Sequence, residues 1–175
     1  MIVEIKIKLT TPILGELNPD SRGVRRFRKT KHGGEIAINS QSWQSQWNSA
    51  CKMLSLNNIN TNTILPQASY ASPSIHLYRR VYSKIKVEFF ESIRAGTVLT
   101  MQAGIRSELP GAPDFKQFEN IIKTTGQYFG ISQWGSKFGF GRYNLISLID
   151  TCPVQPDLNL SGEAETSSSL IRPFQ

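Results

Sequence analysis

The sequence predicts one α+β domain: an antiparallel sheet of four or five strands with two helices on one of its faces. Three observations predict it. A stretch near the start alternates apolar and charged residues, two segments carry apolar residues at helical spacing, and runs rich in β-branched and aromatic residues lie between and after those segments.

Residues 2–9 read Ile-Val-Glu-Ile-Lys-Ile-Lys-Leu, so Val3, Ile5, Ile7 and Leu9 share one face and Glu4, Lys6 and Lys8 the other, the pattern of a half-buried strand. Pro12, Gly15 and Pro19 end it, and residues 21–34, rich in Arg, Lys and Gly, read as a mobile loop. From Ser42 onward Trp43, Trp47, Ala50, Cys51 and Leu54 recur every three or four residues, with Ser40 or Ser42 available as a cap: an amphipathic helix. Residues 57–73, dense in Asn, Thr, Ser and Pro, read as a connecting loop.

Residues 75–82 and 84–91 suit two strands or one long bent strand, with Ile85, Val87 and Phe89 alternating with Lys84, Lys86 and Glu88. Residues 97–105 form a third run behind Ala95-Gly96, which fits a hairpin turn between antiparallel neighbours. After Pro110-Gly111-Ala112-Pro113, Asp114 caps a helix bearing Phe115, Phe118, Ile122, Thr125 and Phe129 on one stripe. A glycine-dense stretch from Gly126 to Gly141 leads to a last strand over 142–149. The order strand, helix, strands, helix, strand is the split βαβ, ferredoxin-like arrangement, which buries both helical stripes against strand one and leaves Lys6, Lys8, Lys84 and Lys86 on the other face. Residues 1–150 are expected to form this one domain, and 151–175 a flexible polar tail that the fold does not need.

At 175 residues and 39% hydrophobic content the chain can build a real core, which excludes global disorder. No stretch has the roughly 20 apolar residues of a membrane-spanning helix, and Met1 leads into a charged segment, so a cytoplasmic location without membrane partners is expected. Cys51 and Cys152 belong to no Cys/His cluster and read as reduced structural thiols.

The net charge of +7 rises to +9 over residues 1–150, because the tail carries Asp157, Glu163 and Glu165 against Arg172. Arg22, Arg25, Arg26, Arg28, Lys29 and Lys31 fall in ten residues without an acid, which points to a polyanionic partner rather than to a merely solvated loop. Arg79 and Arg80, on a predicted strand, are further candidates for phosphate contact. Trp134 has no periodic partner; a base-stacking platform and a hydrophobic plug at the end of the sheet both fit it.

Catalytic constellations are not visible. His32 lies in the basic loop, His76 on a strand is read as structural, Glu88 and Glu91 face opposite sides of a strand, and neither a metal-ligand set nor a phosphate-binding P-loop occurs. No cofactor and no enzymatic activity are expected, a metal-independent endoribonuclease being the distant alternative.

The stretch Gly126-Gln-Tyr-Phe-Gly130-Ile-Ser-Gln-Trp-Gly135-Ser-Lys-Phe-Gly139-Phe-Gly141-Arg142-Tyr143 stands between the second helix and the last strand. Its position and its Gly-x-Gly ending resemble the glycine-rich loop of the RAMP superfamily, the ferredoxin-like RNA-binding proteins of CRISPR effector complexes. Gly139 and Gly141 match one glycine pair of that loop; Gly130 matches half of the other, with Tyr128 where its first glycine is expected. Residues 79–148 are also similar to small uncharacterised phage and prophage proteins. The resemblance implies a subunit that binds RNA or single-stranded nucleic acid in company with other protein subunits. Gly130, Trp134, Lys137, Gly139, Gly141 and Arg142 would form one wall of a groove and residues 22–31 the other, with the backbone amides of Gly139 and Gly141 near phosphate. The alternatives are a mobile-element interaction protein or inhibitor that docks on a host defence complex, and a purely structural role for the glycines.

Overall fold

In the computed structural model the described residues are 1–29, 36–37, 40–66, 69–70, 74–81, 87–131 and 134–151. The first half contains β1 (Ile2–Leu9), β2 (Ile13–Leu14), β3 (Val24–Arg25), β4 (Arg28–Lys29), β5 (Ile36–Ala37), helix α1 (Ser40–Met53), β6 (Ile64–Pro66) and β7 (Ser69–Tyr70). The second contains β8 (Ile75–Val81), β9 (Val87–Ile93), β10 (Val98–Ile105), α2 (Phe115–Thr124), α3 (Gly135–Phe138) and β11 (Tyr143–Asp150).

The principal sheet has the order β11-β1-β10-β6, antiparallel throughout. With α1 between β1 and β6 and α2 between β10 and β11, it is the ferredoxin-like split βαβ arrangement. Val3, Ile5, Ile7 and Leu9 are buried together with Trp43, Trp47, Phe118, Ile121 and Ile122, while Lys6 and Lys8 are exposed on the opposite face. Lys84 and Lys86 lie outside the described residues. The two tryptophans meet at 5.5 Å between ring centroids, Trp47 takes the edge of Phe118 at 5.9 Å, and the Tyr143 hydroxyl donates to the Ile122 carbonyl at 3.0 Å. These contacts fix both helices to β11. Asp114 caps α2 in a capping box with Gln117, each side chain accepting from the other residue's backbone N–H. Burial raises the Cys51 thiol above its ordinary pKa.

Three expectations are corrected. Ala95-Gly96 does not close a hairpin: β9 belongs to a second sheet with β2, β3 and β8, whereas β10 pairs with β1 and β6. Gly96, at φ 88°, instead turns the chain from one sheet to the other, its N–H donating to the Leu9 carbonyl. The stretch 57–73 contains β6, because Leu65 and Ile64 find partners in Gly104 and Ile105 that local composition does not advertise. The described part of the basic segment, 21–29, is tied down as β3 and β4 rather than mobile; β3 pairs in parallel with β9, Val24 opposite Phe89 and Arg25 opposite Phe90. The tail from residue 152 and the basic segment's Lys31 and His32 lie outside the described residues.

Candidate nucleic-acid interface

Strand alternation explains the site. Arg25 and Arg26 are neighbours on the chain and so point to opposite faces of the second sheet, as do Glu88 and Glu91 on β9. On one face Arg25 Nε lies 3.5 Å from Glu88. On the other, Arg26 donates from Nη1 to Glu91 at 2.8 Å and from Nε to Asp20 at 2.7 Å, and the Phe27 amide donates to Glu91 at 2.9 Å. The Val24 amide and then the Arg26 guanidinium hold the Asp20 carboxyl below its ordinary pKa, and Asp20 and Glu91 in turn raise that of Arg26. A segment without acids in sequence therefore receives three in space. Arg22, Arg28 and Lys29 are exposed and remain as its outward-facing cations.

The glycine-rich loop covers the Glu88 face. Residues 125–129 form a π-helical turn that extends α2, then α3 follows and Gly139, at φ 75°, ends it. Trp134 is half-buried: its indole N–H donates to the Gly15 carbonyl at 3.3 Å, its ring meets Phe90 edge-on at 5.8 Å, and the Arg25 guanidinium sits 5.7 Å from its centroid. The Arg80 guanidinium stacks over Phe138 at 4.0 Å and lies 5.4 Å from Phe140, which takes Tyr78 edge-on at 5.7 Å. The two sequence-predicted segments are thus brought together, through a packed cation–aromatic seam. Tyr78, Phe90, Phe138 and Phe140 are members that sequence reasoning missed; the period-two placement of Tyr78 and Arg80 on β8 is the signal that could have found them.

The glycines divide by role. A Cβ on Gly126 would stand 2.4 Å from the Tyr143 carbonyl oxygen, one on Gly130 2.4 Å from that of Phe140, and one on Gly135 2.1 Å from that of Phe129, so these three permit close packing. Gly139 has nothing nearer than 3.7 Å, and Gly141, at φ 69°, is required by backbone conformation. The two amides expected to face phosphate are already committed, Gly139 donating to the Gly135 carbonyl at 2.7 Å and Gly141 to that of Pro12 at 2.8 Å, and the Gly130 amide likewise donates to the Thr125 carbonyl at 2.7 Å. Arg142 ties the start of β11 to the π-helical turn by donating from Nη1 to the Gln127 carbonyl at 2.6 Å, whereas Lys137 is exposed.

Arg79 points away from Arg80, on the face not covered by the loop, so the two do not share a groove. His76 is half-buried on β8, where its carbonyl accepts from the Ser92 hydroxyl at 3.2 Å. A shallow groove of about 430 Å³ between the end of α2 and β11, lined by Lys123, Gln127, Tyr143, Asn144 and Leu145, contains none of the candidate residues. No described helix is long and apolar enough to cross a membrane, and the described residues contain no group of three or more His, Cys, Asp or Glu able to hold a metal ion.

No protein-family model matches the chain, and no curated protein does. Among solved structures, a chain of a Type IV-B CRISPR complex shares the fold, with a TM-score of 0.55 at 12% sequence identity, over 99% of this chain and 96% of that one.

Proposed function

We propose that this chain is a non-catalytic subunit of a CRISPR-like effector complex that binds RNA or another single-stranded nucleic acid by its phosphates. The observation that carries the reading is the seam: Trp134 and Arg25 join the basic β3–β4 segment to the glycine-rich loop, so that Arg28, Lys29 and Lys137 project from two elements held in one body. The fold shared with a chain of a Type IV-B CRISPR complex, over nearly the whole length of both, supports it. So does the excess of positive charge outside the tail.

In this reading the work is divided. Arg25, Arg26, Arg80 and Arg142 are held by carboxylates, rings or a carbonyl and shape the surface. Arg22, Arg28, Lys29 and Lys137 supply the phosphate contacts, with Lys31 continuing the same segment; they give affinity with little sequence preference. Binding of labelled single-stranded RNA, single-stranded DNA and duplex DNA, followed by anisotropy across a salt series, tests it. Affinity should fall steeply with salt, and the triple change Arg28→Ala, Lys29→Ala, Lys137→Ala should flatten the single-strand slope by about two units, at about 0.7 per phosphate contact. No binding at low salt sinks the proposal.

A further inference from the structure

The β8–β9 ribbon has two faces with different fates. One is covered by the glycine-rich loop. On the other, Leu77, Arg79 and Val81 of β8 stand opposite Glu91, Phe89 and Val87 of β9, and Val24 of β3 continues the row beside Phe89. On the β9 side of this face Glu91 is engaged by Arg26 and the Phe27 amide. The β8 side is open along its length: Leu77, opposite Glu91, is 64% exposed and Val81, opposite Val87, 59%, more than any other large hydrophobic residue described, and both flank the exposed Arg79. Val24, Val87 and Phe89 are half-buried around them. Single exposed apolar residues are ordinary, but here five apolar residues share one face of the second sheet with a single exposed arginine. Such a composition, an apolar patch with a central arginine, is that of a protein-binding surface.

We infer that this face docks another protein subunit, through an apolar surface on that partner carrying an Asp or Glu that pairs with Arg79. Charge complementarity selects the occupant. A second copy packed about a two-fold axis at Arg79 would oppose like charges in a patch that excludes water, which is unfavourable. A nucleic acid would leave Leu77 and Val81 against phosphate or ribose, where aliphatic side chains offer neither charge nor a stacking plane. An acidic, apolar protein surface satisfies both components, and a bidentate guanidinium–carboxylate pair fixes its orientation. The inference rests on the reading of the chain as one subunit of a larger complex, but not on its binding nucleic acid.

The test places a photo-crosslinking benzoylphenylalanine at position 77 of the full chain, expressed in the cells that naturally carry it, with the crosslinked residue identified by mass spectrometry. The expected result is a crosslink to a protein segment containing an acid among apolar residues, lost in Arg79→Glu and restored when that acid is changed to Arg. A crosslink to RNA, to a second copy of this chain, to a segment whose charge exchange fails to restore it, or to nothing overturns the inference. Leu77→Ser with Val81→Ser, both at exposed positions, serves as an independent variant: it should keep the melting temperature within about 2 °C and the salt slope of RNA binding unchanged while abolishing co-purification of the crosslinked partner. Loss of RNA binding in the unmodified chain would refute the proposed function and leave the docking result standing.

Discussion

Replacing Gly126 by Ala sets two physical effects against each other. Gly126 lies in the π-helical turn and has no positive φ, so by helix propensity alone a methyl group should stabilise the protein by up to about 1 kcal/mol. The structure gives the opposite sign. The new carbon would stand 2.4 Å from the Tyr143 carbonyl oxygen and 2.6 Å from two carbons of its ring, with Tyr143 only 2% exposed and held by Ile122. Backbone of β11 would have to move. Overpacking of this kind costs about 3 kcal/mol, outweighing the propensity gain and leaving a net loss of about 2 kcal/mol, or about 4–8 °C in melting temperature for a domain of this size. Gly139→Ala is the comparison: it carries the left-handed penalty of about 1–2 kcal/mol but meets nothing within 3.7 Å. Differential scanning fluorimetry with circular dichroism reads both. A Gly126→Ala variant as stable as the parent refutes the close approach of α2's extension to β11.

Three further outcomes are expected. Glu91→Ala orphans the Phe27 N–H and removes one of the two carboxylate partners of Arg26, so it should cost about 2–3 kcal/mol in chemical denaturation without changing the salt slope of nucleic-acid binding; a neutral substitution would mean the β3 segment is not anchored there. Because Asp20 is depressed below its ordinary value of 3.8, its contribution to stability is present above that pH and is lost as pH falls through the lower folded value. Asp20→Asn should therefore flatten the acid limb of the stability curve below about pH 4 and remove some stability at neutral pH, and an unchanged acid limb would deny the coupling. Trp134→Ala should raise hydrogen exchange at the Gly139 and Gly141 amides by about tenfold or more while α1 keeps its protection; equal exchange in both proteins would show that the seam does not hold the loop.

What the sequence made legible follows the range of the interactions involved. The alternation of β1, the Trp43/Trp47 stripe and the Asp114 cap are local patterns, and all three elements stand where those patterns put them. The order of elements then sufficed for the split βαβ topology. Less legible was β6, three residues long in an Asn- and Thr-rich stretch and defined by pairing with β10 some forty residues later. The basic segment was legible in charge but not in pairing, since Glu91 is sixty-five positions from Arg26 and nothing local announces their meeting. Trp134 was visible as an isolated aromatic; its neighbours Phe90 and Arg25 come from two other strands, so only the folded chain displays the seam.

Of the two central strands of the principal sheet, β1 is the first in sequence. Both neighbours of β1 arrive late, β10 beginning at Val98 and β11 at Tyr143. During synthesis at about 5–20 residues per second, an alternating Ile- and Val-rich strand leaves the ribosome and waits on the order of 5–20 s before its first partner exists. Two open edges and one apolar face are exposed throughout that interval, so the nascent chain has a period in which intermolecular strand pairing competes with its own completion. Lys6 and Lys8 stand along that strand with Glu4, where their net positive charge discourages identical chains from stacking in register. Refolding yield should accordingly fall with protein concentration, and a slow phase should reflect the pairing of β1 with the distant β10 and β11.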